Sequence, residues 1–184
     1  GLSRFKFPAN FKPGNTLHFQ NFYYDSNDPK SIRSNFIRSF AKDKYGNLWI
    51  TTWNGGLNKI NFSDKNKENI IFERFTDIND PSKAVASNYI DCILFDSDNI
   101  LWLCTLKGLQ KIDLEKNSFE MFYHDPMNPG SKLNFGSCII QDEEKNLWLS
   151  SFSGLICLKR ENKGTYSAKV IYENGYQGIY SMTI

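Results

Sequence analysis

The sequence predicts an all-β protein made of repeated four-stranded antiparallel sheets, and three observations carry that prediction. Short runs rich in Ile, Phe, Tyr, Trp and Thr alternate with turn clusters of Asn, Asp, Gly and Pro. No long helical period is present, a two-turn helix around Ser82 being the one weak alternative. The stretch "GNLWITTWNGGLNKI" (46–60) returns as "NILWLCTLKGLQKI" (99–112) and again as "KNLWLSSFSGLICL" (145–158).

The repetition extends over many columns. Trp49, Trp102 and Trp148 are 53 and 46 residues apart. Asn35, Asn88 and Asn134 each lie 14 residues before one of these tryptophans, and Asp43, Asp96 and Asp142 each lie six before. A turn ending at Pro29, Pro81 or Pro129 comes 19 to 21 residues ahead of each Trp, and a Gly-Leu pair follows it at Gly56, Gly108 and Gly154. Fixed offsets repeated three times mark a repeat architecture.

Each unit reads as four strands. The first is "FIRSFAKD", "YIDCILFD" or "CIIQD". A turn follows, in which Gly46 suits a left-handed backbone, Asn99 tolerates one and Lys145 is an uncomfortable occupant. The second strand is "LWITT", "LWLCT" or "LWLSS". A tight turn leads into the third, "GLNKINF", "GLQKIDL" or "GLICLKR", and the fourth is "IIFERFT", "SFEMFYH" or "SAKVIYE". "GLSRFKF" at the N-terminus lines up with the third strand, "LHFQNFYY" with the fourth, and "GIYSMTI" at the C-terminus with the entry to another unit.

The second strand is apolar at consecutive positions, so both of its faces want burial. A sheet stacked between two neighbours provides that, whereas a sheet with one wet face does not. Four strands in 45 to 53 residues is the size of one β-propeller blade. The expectation is therefore a partial β-propeller of about three four-stranded antiparallel blades, a fragment of a larger ring. Residues 1–28 would end a preceding blade, 29–80, 81–128 and 129–176 would be three repeats, and 177–184 would start the next.

Composition narrows the function. The 184 residues are 40% hydrophobic and 15% aromatic, which fits a globular core. The 22 basic and 20 acidic residues are interspersed, giving a net charge of +2 and no footprint for nucleic acid or an anionic membrane. No apolar run is long enough to span a bilayer. Cys92, Cys104, Cys138 and Cys157 match no metal-binding spacing. Each lies in an apolar run, which predicts small buried side chains, and a disulfide is the other possibility, for which the spacing selects no pair.

"DKYGNLWITTWNGGLNKIN", preceded by "DPKSIRSNFIRSF", resembles the two-component regulator propeller repeat, and the second and third units carry the same columns. That pattern runs approximately N-x-V-x-x-I-x-x-D-x-x-G-x-L-W-I-G-T-x-x-G-G-L-x-x-[YF]. The chain departs from it at Thr51, Cys104 and Ser150, where Gly is usual, and keeps the double glycine only at Gly55-Gly56. The resemblance implies a periplasmic sensor region of a hybrid two-component system of the Bacteroidetes type. In that family the propeller binds oligosaccharides, and a membrane helix and a histidine kinase follow downstream.

No catalytic constellation is visible. His18 and His124 have no second ligand nearby in sequence, and no nucleophile motif or phosphate loop is present. Asp43, Asp96 and Asp142 recur once per unit, which favours a turn-forming role over paired-acid catalysis. No cofactor or metal is expected. Binding is the better prospect. Four residues after each Trp lie Trp53, Leu106 and Phe152, at tips whose aromatic faces could stack on sugars, with Asn54, Lys107 and Ser153 as polar neighbours. Three residues after each repeat Asn lie Arg38, Asp91 and Ser137, polar within an otherwise apolar first strand. The candidate ligand contacts are Trp53, Asn54, Phe152, Arg38 and Asp91. Tyr89 has Phe36 and Phe135 as counterparts, which favours a core role.

The expected function is non-enzymatic sensing, with an oligosaccharide or protein as partner. The rivals are a propeller lyase or glycosidase, and a purely structural interaction scaffold. Three blades cannot close a ring, so the chain is expected to self-associate.

Overall fold

The computed structural model describes residues 1–6, 9–61, 70–76, 85–122, 136–151, 154–161, 164–173 and 182. The segment around Ser82, Phe152, Ser153, His124 and most of 177–184 lie outside the described residues. The described residues form fourteen strands and no α-helix.

A two-stranded sheet of β1 (Leu2–Phe5) and β2 (Phe19–Phe22) comes first. The first four-stranded sheet holds β3 (Ile37–Lys42), β4 (Leu48–Thr52), β5 (Gly56–Ile60) and β6 (Phe72–Phe75). The second holds β7 (Ile90–Phe95), β8 (Leu101–Thr105), β9 (Gly108–Asp113) and β10 (Ser118–Phe122). The third holds β11 (Gly136–Gln141), β12 (Leu147–Ser151), β13 (Gly154–Arg160) and β14 (Tyr166–Glu173). Each four-stranded sheet is an antiparallel meander in chain order, as connections of a few residues dictate. β3 packs on β7 and β7 on β11, so the first strands of the three sheets line one side.

The core lies between the sheets. On β8, Leu101 and Leu103 point to the first sheet and pack with Trp49, Leu57, Ile90 and Ile93. Trp102 and Cys104, on the alternate face, point to the third sheet and pack with Ile139, Leu147, Leu149, Ile156 and Leu158. Strand alternation thus divides "LWLC" between two interfaces, which accounts for its unbroken hydrophobicity. Trp102 is 0% exposed and meets Phe122 at a tilt at 5.8 Å and Tyr166 edge-on at 5.1 Å. A buried indole removes roughly 150–250 Å² from water, on the order of 4–6 kcal/mol at about 25 cal/mol per Å².

β1 and β2 repeat the register of β5 and β6. Leu2 pairs with Phe22 and Phe5 with Phe19, as Leu57 pairs with Phe75 and Ile60 with Phe72. Leu2 and Phe22 pack on Ile50, Ile60 and Phe72 of the first four-stranded sheet. The two strands therefore occupy the outer half of a sheet preceding it.

The turns are shaped by backbone chirality. The column Gly46, Asn99, Lys145 has φ of 85°, 60° and 66°. The repeat imposes the left-handed state even on a lysine, whose Nζ lies 3.1 Å from Asp98 of the neighbouring sheet. Gly56 has φ 66°, and an added Cβ would lie 2.3 Å from the Phe75 carbonyl oxygen. That position admits only glycine.

Candidate functional site

The Asp column has a structural task. Asp43 Oδ1 accepts the backbone N–H groups of Tyr45 and Asn47, closing the turn. Its Oδ2 accepts Trp49 Nε1–H at 2.9 Å and Asn47 Nδ2–H at 2.8 Å. Asp96 accepts Trp102 Nε1–H at 2.9 Å and Asp142 accepts Trp148 Nε1–H at 2.8 Å. The carboxylate satisfies the one polar atom of each indole as it enters the core. Burial pushes the carboxyls of Asp43 and Asp142 up, but the bonds from Trp, Asn and backbone N–H outweigh it and hold both below the ordinary value. The six-residue spacing was visible in the sequence; the indole as partner was not.

A second set of residues sits where the first strands are irregular. The β3–β4 register slips between Ile37 and Ser39, the β7–β8 register between Ile90 and Cys92, and the β11–β12 register between Gly136 and Cys138. The residues that the register skips are Arg38, Asp91 and Ser137. A bulge re-aims its extra side chain, and such positions often serve sites.

Two of the three meet. Arg38 Nε donates to Asp91 Oδ1 at 2.7 Å and its Nη2 lies 2.5 Å from the same oxygen, joining the first and second sheets. The Arg38 guanidinium carbon is 5.6 Å from the Trp53 ring centroid, and Trp53 meets Tyr89 edge-on at 5.1 Å. Trp53 is anchored by its N–H to the Phe36 carbonyl at 2.9 Å and by its carbonyl, which accepts Ser34 Oγ–H at 2.9 Å. It still leaves 36% of its surface open. Its turn is pinned to the next sheet by Gly56 N–H donating to the Asn88 carbonyl at 2.9 Å.

Three of the five candidate contacts, Trp53, Arg38 and Asp91, therefore form one cluster. Asn54 is exposed at the adjoining turn tip with φ 61°. Ser137 Oγ lies 3.0 Å from Ser150 Oγ, and Leu106 is 38% exposed at the tip equivalent to that of Trp53. Sequence reasoning assigned Tyr89 to the core, yet it is half-buried and forms one wall of this cluster. The signal was its place one residue after the repeat Asn, at the inter-sheet junction. A cleft of about 670 Å³ lined by Tyr23, Tyr24, Asp25 and Phe72 lies elsewhere, where β2 meets the first four-stranded sheet. Among the described residues no group of three His, Cys, Asp or Glu side chains could hold a metal ion.

Residues 31–54 and 84–107 match the family model described as Two component regulator propeller. These two stretches of the chain are similar to that repeat. It is similar to the extracellular domain of a protein assigned as a hybrid two component system from B. thetaiotaomicron, with 21% identity and a TM-score of 0.64 over 84% of this chain and 20% of that one. A second such extracellular domain from the same organism gives 17% identity and a TM-score of 0.65 over 90% of this chain and 22% of the other. Virginiamycin B lyase from Staphylococcus aureus is a weaker match, with 16% identity and a TM-score of 0.50 over 77% of this chain and 43% of that one. No curated protein matches significantly. The chain spans about a fifth of the length of the two extracellular domains. These likenesses establish the fold as propeller sheets.

Proposed function

We propose that this chain is a non-catalytic segment of a periplasmic sensor propeller that binds an oligosaccharide and signals to a histidine kinase of the same hybrid two-component system. The observation that carries the reading is the Arg38–Asp91–Trp53–Tyr89 cluster, built across two sheets from two bulge residues and two partly open aromatic rings. The ion pair is electrically neutral as a unit, and its polar atoms suit sugar hydroxyls rather than a charged ligand. The open face of Trp53 suits an apolar sugar face. Because the cluster joins two sheets, a ligand there favours whichever arrangement of the sheets fits it. A signal requires such unequal affinity for two states.

The family repeats support this reading, as does the likeness to extracellular domains of proteins assigned to two-component systems. A propeller lyase is the rival, and the cluster contains neither a carboxylate pair nor a histidine. The test is a glycan array on the full-length protein, followed by calorimetry on the best oligosaccharide with wild type and Trp53→Ala. The expected result is saturable binding, weakened at least tenfold in the variant, with the sugar recovered intact. Cleavage of the sugar, or binding unaffected by the variant, would overturn the proposal.

A further inference from the structure

We propose that the cleft where β2 meets the first four-stranded sheet is a second sugar subsite, which takes a neutral oligosaccharide on Tyr23 and on side chains of the 25–31 loop. The inference rests on the reading of the chain as a sugar sensor and adds a site to the one at Trp53.

The cleft has a volume of about 670 Å³, within the range of about 300–1,000 Å³ typical of small-molecule sites. Phe22 and Phe72, edge-on at 5.6 Å, give it an apolar base. Tyr23 lines it with 61% of its surface open and no ring partner among the described residues. An added Cβ at Gly1 would lie 2.8 Å from that ring, so the ring is backed on one side while the rest faces solvent. A phenol ring with one open face is a platform for the apolar face of a sugar. Tyr24 is held differently. Its hydroxyl accepts Arg33 Nη1–H at 3.0 Å, and the guanidinium carbons of Arg33 and Arg74 lie 5.4 and 5.9 Å from its ring centroid. It is a fixed wall rather than a platform.

The loop is organised before any ligand arrives, so little ordering is left for binding to supply. Ser31 Oγ accepts the Asp25 N–H at 2.9 Å and donates to the Asp25 carbonyl at 3.0 Å. Asp25 Oδ1 accepts the Asn27 N–H and Asp28 Oδ1 the Lys30 N–H, both at 2.8 Å. Arg74 ties the loop to β6, donating to the carbonyls of Ser31 and Asp28 and to Ser31 Oγ. The N–H groups of Asp28 and Ser31 bond within the loop, and the Lys30 carbonyl accepts the Phe72 N–H. With these backbone groups spent, a strand-like peptide finds no ladder to join. The Tyr23 hydroxyl, Asp25 Oδ2, Asp28 Oδ2 and Lys30 Nζ have no hydrogen-bond partner among the described residues. Carboxylate oxygens accept from sugar hydroxyls and an ammonium donates to them. Lys30 and the guanidiniums on Tyr24 offset the two carboxylates, so no single sign of charge dominates and a neutral chain fits.

One short run of chain joins the cleft to the Trp53 cluster. Ser31 lines the cleft, Ser34 Oγ–H and the Phe36 carbonyl anchor Trp53, and Arg38 belongs to the ion pair. Ser31 and Arg38 are seven positions apart, so their Cα atoms lie at most about 25 Å from one another. A glycan held in the cleft therefore stays at high effective concentration at Trp53, and the two subsites reinforce one another on a long chain.

The test uses the full-length protein, with the hexasaccharides of cellulose, xylan, mannan and arabinan as probes. Calorimetry should find at least one that binds, and Tyr23→Ala should weaken it at least fivefold. Tyr23→Phe should keep most of the affinity. Phe119→Ala, at an equally exposed aromatic of another outer strand, should leave it unchanged. A second readout needs no variant. In the wild type, the bound hexasaccharide should slow nitration of Tyr23 by tetranitromethane at least threefold, read by peptide mass spectrometry, and leave Tyr45, 66% exposed, unaffected. Binding lost in Trp53→Ala but unchanged in Tyr23→Ala, with Tyr23 unprotected, would overturn this proposal and leave the Trp53 site standing. Binding weakened by Tyr23→Ala but not by Trp53→Ala would uphold the cleft and remove the Trp53 site. Failure of every hexasaccharide to bind, or an equal loss in Phe119→Ala, would also overturn the proposal.

Discussion

Phe40 and Ile93 hold the same place in successive sheets. Each lies nine residues before its tryptophan and opposite an apolar residue of the second strand, Ile50 or Leu103. Yet Phe40 is 48% exposed and Ile93 only 5%. Ile93 faces the complete first sheet, while Phe40 faces β1 and β2, which make only the outer half of one. The tryptophans show the same contrast in the other direction. Trp49 and Trp102 are 2% and 0% exposed beneath a following sheet, and Trp148, without one among the described residues, is half-buried. A blade's sequence prepares both of its faces, but only a neighbour makes them core.

The largest effect expected from that contrast is at the tryptophans. Trp102→Ala should cost about 3–5 kcal/mol, and Trp148→Ala roughly half as much, because less of its indole leaves water. Urea unfolding of both variants measures the ratio, and equal losses would refute the neighbour rule. Next in size, Ile93→Ala should cost about 2–4 kcal/mol and Phe40→Ala under about 1 kcal/mol.

A smaller effect is expected at the indole-carboxylate bonds. Asp43→Asn should lose about 1.5–3 kcal/mol at neutral pH, since an amide presents a donor to donors. The Asp43 carboxyl is held below its ordinary 3.8, so its contribution is full above that value and disappears as pH falls through the folded one. The gap between variant and wild type should therefore narrow below pH 3.8 and stay constant above about pH 5. The smallest change is at Arg38, whose side chain is 47% exposed in its ion pair. Arg38→Ala should cost about 0.2–1 kcal/mol of stability while weakening oligosaccharide binding severalfold. A loss of stability without a loss of binding would separate the ion pair from the ligand.

Much of the site was legible because it recurs. Arg38 and Asp91 stood out as polar residues in an apolar strand, and Trp53 as an aromatic at a turn tip. That these three touch was not legible, since Arg38 and Asp91 lie 53 residues apart and meet only because adjacent first strands pack. The bulges were equally hidden. An extra residue leaves the alternation of "FIRSFAKD" looking like an ordinary strand, and only the pairing register reveals it.

The sequence by itself determined the local order: strand, turn, strand, a left-handed residue at each first turn, and an Asp six places before each Trp. Those features depend on interactions within one unit, which side-chain alternation and backbone chirality encode directly. Tertiary structure alone decided which tryptophan is dry and which bulge residues pair. Those outcomes depend on what the next sheet places across the seam, and contact between distant segments leaves no period along the chain.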